Sequence, residues 1–85
     1  MIPKVKFLTK SVHTKNYARF LGMLIEFRKN ARVTQEEVAL RLNRPQSFVS
    51  KYENGERRLD LIEFLEIAEA IGFDPVGFIR KIQKP

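Results

Sequence analysis

The chain has no cysteine, so neither a disulfide framework nor a thiolate metal site can support it, and its composition suits a reducing cytoplasm. It has one histidine, His13, with no carboxylate pair or cysteine beside it at metal-ligand spacing. Metal binding and catalysis are left almost without candidates. No apolar run approaches the roughly 20 residues that span a bilayer. The opening MIPKVKFLTK alternates Lys with apolar residues where a signal peptide has an unbroken apolar block. A Gly-rich phosphate loop, an internal repeat, a low-complexity tract and a Gly/Ser linker are all missing. These absences leave one cytoplasmic domain of 85 residues with no expected cofactor, membrane contact or enzymatic activity. At that size one economical apolar core must suffice.

What is present in quantity is positive charge. The formal net charge is +6 and unevenly spread: residues 1–33 carry eight Lys or Arg against Glu26 alone, while residues 60–85 are net acidic at −2. A basic end of this kind suits a polyanion, and DNA or RNA come before a membrane surface. Basic composition also serves solubility alone, so charge leaves the question open.

Five helical segments follow from periodicity and caps. The first spans about Lys15 to Asn30, with Tyr17, Phe20, Leu21, Leu24 and Ile25 on one apolar stripe. A second opens with the capping box Thr34-x-x-Glu37, buries Val38, Ala39 and Leu42, and stops at Asn43. Pro45 is expected at the first position of the third, which ends at Gly55. The fourth starts with Asp60 and Glu63, is expected to bury Leu61, Phe64, Leu65, Ala68 and Ile71, and stops at Gly72. Asp74-Pro75 opens the fifth, which carries Val76, Phe78, Ile79 and Ile82. Glu63, Glu66 and Glu69 read as a solvated face. Residues 1–13, where Val5 and Phe7 alternate with Lys4 and Lys6, form a basic arm that either frays or makes a short strand.

The second and third segments, TQEEVALRLNRPQSFVSKYENG, stand only about three residues apart. With Val49 and Tyr52 turned inward, a helical wheel puts Ser47, Ser50, Lys51 and Asn54 outward, Gln46 and Phe48 on the flanks, and Glu53 at the core boundary. That outer face has hydroxyl, amide and ammonium groups and no carboxylate. Such groups suit base edges and phosphate oxygens.

The stretch 28–71 resembles the Cro/repressor-type helix-turn-helix, the lambda-repressor-like or XRE family. The resemblance rests on TQEEVA, on PQSFVSKYENGER and on DLIEFLEIAEAIG at the expected distance. It implies a compact all-α domain of five helices over residues 14–85, with the helix-turn-helix at about 34–54. It further implies that Gln46, Ser47 and Lys51 reach base edges of double-stranded DNA and that Gln35, Ser50, Asn54, Arg57 and Arg58 grip the backbone. Arg28 would pair inward with Glu53. The chain departs from the family in having Asn43 where Gly is usual and Phe48 where a small residue is common. Packing is the favoured role of Phe48, with a thymine methyl contact as the other.

One recognition helix reads few base pairs, so a homodimer on two half-sites is expected. Phe78, Ile79 and Ile82 exceed what one small core can absorb and, with the end of the fourth segment, are its expected interface, the alternative being that some of them close the monomer's own core. The family implies a transcriptional repressor with no small-molecule effector. The alternatives are an antitoxin that also binds a toxin protein, or a restriction-modification controller.

Overall fold

The computed structural model describes residues 14–84, so the expected arm at 1–13 lies outside the described residues. Among those described there are five helices and no strand: α1 (Lys15–Asn30), α2 (Gln35–Leu42), α3 (Gln46–Glu53), α4 (Leu61–Ile71) and α5 (Pro75–Gln83). Caps set most of the starts. Thr14 Oγ1 accepts from the Tyr17 N–H at 3.1 Å. Thr34 and Glu37 complete both halves of a capping box, at 3.1 and 2.8 Å, and Asp60 and Glu63 do the same at 2.7 and 3.0 Å. Asp74 accepts from the Val76 and Gly77 N–H groups ahead of Pro75 at the first turn of α5. Only α3 differs: Pro45 is its N-cap rather than its first helical residue and makes no side-chain cap.

The first four helices all stop in the same way. Arg32, Asn43, Gly55 and Gly72 have positive φ, and the residue after each donates to the carbonyl five back: Val33 to Arg28, Arg44 to Ala39, Glu56 to Lys51 and Phe73 to Ala68. This closure pairs carbonyls that a helix end otherwise leaves bare and turns the chain sharply. Asn43 tolerates the left-handed conformation, so the family's Gly is not needed there. Arg32 is a larger exception, since its Cβ is crowded at φ 60°.

With α2 and α3 set so close, α2 packs on both α3 and α4, and α1 packs on α3. The core is built on Leu24, Val38, Val49, Tyr52, Ile67 and Phe78. Burial pushes the Tyr52 hydroxyl well above its ordinary pKa. Rings of Phe27, Phe64, Phe73 and Phe20 surround Phe78 at 5.1, 5.1, 5.2 and 5.8 Å. Cations close two helix ends: Arg41 donates to the Ala70 carbonyl at 2.7 Å, and Arg19 to those of Ile82 and Lys81.

Several expectations need correction. Phe78 is 1% exposed, so it closes the monomer's own core and has no surface for a partner. In α4, Leu61 (62% exposed) and Leu65 (40% exposed) face outward, while Ile67 and Ala70 are buried. The sequence LIEFLEIAEAI is apolar on nearly every side, so periodicity alone left the helix free to rotate about its Phe64, Ala68 and Ile71 axis. Glu63 is not part of a solvated face, unlike Glu66 and Glu69, because the cap and two arginines hold it. Met23 is buried beside the α1 stripe, which periodicity also did not indicate.

Phe78→Ala should cost about 3–5 kcal/mol in urea unfolding, whereas Ile79→Ala should cost roughly 1 kcal/mol or less. Equal losses would contradict the division between the two.

Candidate nucleic-acid interface

Gln46, Ser47, Lys51 and Asn54 are exposed on α3, with Ser50 half-buried between them, while Val49, Tyr52 and Glu53 face inward. The Ser50 hydroxyl donates to the Ser47 carbonyl at 3.2 Å. That bond occupies its proton, so the hydroxyl has to turn before it can donate to a phosphate. No carboxylate stands on this face.

Beneath it runs a polar chain that joins three helices. Arg28 of α1 grips Glu53 of α3 in a fork, Nε to Oε2 at 2.7 Å and Nη2 to Oε1 at 3.2 Å. A third donor of Arg28 reaches the Val33 carbonyl. Gln35, the first residue of α2, donates to Glu53 Oε1 at 2.8 Å and accepts from Gln46 at 3.4 Å. The Arg28 and Glu53 side chains are 11% and 4% exposed. Gln35 is thereby tied to the first residue of the α3 face, and both lie in a shallow cleft with Arg28, Lys29 and Arg32. Neither Lys29 nor Arg32 stands in a motif; their only signal in the sequence is the excess of Lys and Arg over residues 1–33.

Phe48 is buried, stacked edge-on to Tyr52 at 5.4 Å. The guanidinium carbons of Arg44 and Arg57 lie over its ring at 4.3 and 4.9 Å. Its ring packs against the protein and is not offered to a base. Arg57 is committed inward: Nη1 donates to Glu63 Oε1 and to the Arg58 carbonyl, both at 2.9 Å, and Nη2 lies 2.8 Å from Glu63 Oε2. Arg58 lies over the Tyr17 ring at 4.2 Å, and the Tyr17 hydroxyl accepts from the Leu59 N–H. Asn54 donates weakly to Glu56 at 3.5 Å. Of the two charged residues among the expected backbone contacts, Arg57 and Arg58, it is Arg57 that pairs with a carboxylate of the protein itself. Ile79 is exposed on α5 and Ile82 half-buried against the core.

The hydrogen bond from Arg57, followed by the Asp60 backbone and the charge of Arg44, holds the Glu63 carboxyl below the usual carboxylate range. A group with a lowered folded pKa adds stability that is full above its unfolded value and fades as pH falls through the folded one.

Removing one member of the Arg28–Glu53 pair strands the other where water hardly reaches. Glu53→Ala should therefore cost about 3–5 kcal/mol in urea unfolding. A cost under about 1 kcal/mol would mean that Arg28 swings free to solvent.

Comparison with known proteins gives the same picture. A helix-turn-helix family model matches residues 24–78. An XRE-family like protein from Pseudomonas syringae pv. tomato str. DC3000 is 50% identical to this chain, with a TM-score of 0.81 over 87% of this chain and 92% of that one. No curated protein matches the chain at a significant level. Among the described residues, no helix is long and apolar enough to cross a membrane. With the family model matched over residues 24–78 and 50% identity to an XRE-family like structure across 87% of its length, the chain belongs to the XRE-family helix-turn-helix proteins, whose domains are DNA-binding regulators.

Proposed function

We propose that this protein is a dimeric, sequence-specific transcriptional repressor that reads the major groove of double-stranded DNA with α3. The observation that carries this reading is the carboxylate-free outer face of α3, braced from below by the line Gln46–Gln35–Glu53–Arg28. Preorganisation of this kind matters because a side chain that is already oriented loses less entropy on binding. Gln46, Ser47 and Lys51 are the base-reading residues: an amide can serve both edges of adenine, and an ammonium suits the acceptors of guanine. Gln35, Ser50, Asn54 and Arg58 grip the backbone and fix the register. Lys29 and Arg32, in the cleft beside Gln35, extend that grip toward the next phosphates.

Dimerisation places two such helices in successive major grooves, about 34–36 Å apart. The surface that supports it is formed by Leu61, Ile62, Leu65, Val76 and Ile79, all exposed on α4 and α5. With Phe78 turned into the core, Ile79 and Ile82 of the expected interface trio remain to take part, beside Val76. Ile79→Asp should give a folded monomer in sedimentation and weaken binding to a two-half-site operator by at least tenfold. A variant that stayed dimeric would move the interface elsewhere.

The function is tested by sequencing the genomic fragments that the purified protein retains at near-physiological salt, where nonspecific binding is suppressed. A palindromic motif near its own promoter is the expected result, and salt-sensitive retention without any motif would overturn the reading. Lys51→Ala should cost about 1–3 kcal/mol on the preferred site and relax the preference at one position. An unchanged motif in a binding-site selection would take Lys51 out of the readout.

A further inference from the structure

Four groups from separate parts of the chain meet beside α3. Arg44 comes from the turn before it, Phe48 from the helix, Arg57 from the loop after it and Glu63 from the first turn of α4. Both guanidiniums lie over one aromatic ring and both turn an Nη2 toward the same carboxylate oxygen, Glu63 Oε2, at 2.8 Å from Arg57 and 3.7 Å from Arg44. Two planar cations converging on one anionic oxygen, at the flank of the α3 face, is an arrangement that also suits a phosphate. Here the anion is supplied by the protein itself.

From this convergence we propose that Arg44 and Arg57 form a binding site for a DNA backbone phosphate which Glu63 fills as an internal counter-anion, so that Glu63 limits how tightly the protein holds DNA of any sequence. The inference rests on the DNA-binding reading above. Glu63 is well suited to keep a phosphate out. It is tethered to the site through the Asp60 capping box, its Oε1 accepting from the Asp60 N–H as well as from Arg57. A phosphate has to displace a fork of two short charge-assisted bonds that are already formed. The side chains of Arg44 and Arg57 are 39% and 41% exposed, so the site is open to solvent on its outer side and a phosphate can approach. Its effect is on the common, sequence-blind part of the affinity, because a phosphate contact carries no base information. Lowering that part reduces retention on the many nonspecific sites of a genome.

Glu63→Gln tests this without removing the helix cap, since the amide oxygen of glutamine serves a capping box as glutamate does. The expected result is severalfold tighter binding to specific and random duplexes alike. The plot of log K against log salt should steepen by about 0.9, the value for one added phosphate contact. Arg57→Ala in the native background should leave the slope within about 0.3 of wild type, because that guanidinium is already neutralised, and in the Glu63→Gln background it should abolish the gain. A Glu63→Gln slope equal to wild type, or an Arg57→Ala slope lower by one unit, would overturn the inference while wild-type binding continued to support the DNA-binding reading. Failure of the wild-type protein to bind any duplex would overturn both. Should Glu63→Gln melt with loss of the helical circular-dichroism signal, the Arg57→Ala slope alone decides.

Discussion

The domain depends most on a single ion pair that stability alone does not call for. Arg28 and Glu53 meet at 2.7 Å, largely out of water, where two apolar residues of similar size would often serve stability as well or better. What the pair adds is direction. A hydrophobic contact tolerates sliding and rotation, whereas a guanidinium fork that also holds the Val33 carbonyl fixes α1, the α1–α2 connection and α3 in one relative placement. Gln35 then carries that placement to Gln46, on the surface. The side chains best able to touch a base therefore stand on a buried electrostatic frame, and the apolar core around it supplies the bulk of the stability.

The second constraint is the repeated way in which the helices stop. Arg32, Asn43, Gly55 and Gly72 each leave the right-handed region for one residue. A short domain cannot spend many residues on loops, and a left-handed closure reverses the chain at the smallest length while pairing the last carbonyls. Three of the four positions could be read from the sequence, since Asn43, Gly55 and Gly72 are residue types that accept positive φ. Arg32 could not be. Its side chain gives no sign of the backbone it adopts, and it lines the cleft shared by Gln35 and Gln46.

The legible parts of the sequence were those with local causes. Both capping boxes, the Asp74-Pro75 start and the wheel of α3 depend on residues within one or two turns of each other, and all appear in the structure. What was not legible depended on partners far along the chain. The outward turn of Leu61 and Leu65 is decided by where α2 and the phenylalanine cluster lie, not by anything in α4. Phe78 is surplus only on its own helix, since the rings of Phe20, Phe27, Phe64 and Phe73, spread over residues 20–73 of the sequence, converge on it in space. Phe48, large where a small residue is common in the family, similarly makes sense only beside Tyr52, Arg44 and Arg57.

Arg57 and Glu63 show how a motif can be read correctly and still mislead. An arginine just after a recognition helix looks like a phosphate ligand, and a glutamate three residues past Asp60 looks like a cap; in the structure the second residue is the cap and also the partner of the first. A glutamine could have served the cap alone. Choosing a carboxylate adds a charge next to two arginines and offsets part of the basic field that the α1 side of the molecule presents. For a regulator that must leave ordinary DNA quickly and stay on a few sites, the useful quantity is the difference between the two affinities and not their common part. Surplus cations raise only the common part. On the proposed reading, a domain whose α3 face is held rigid by one buried ion pair has reason to restrain, with a second pair, the attraction that every phosphate shares.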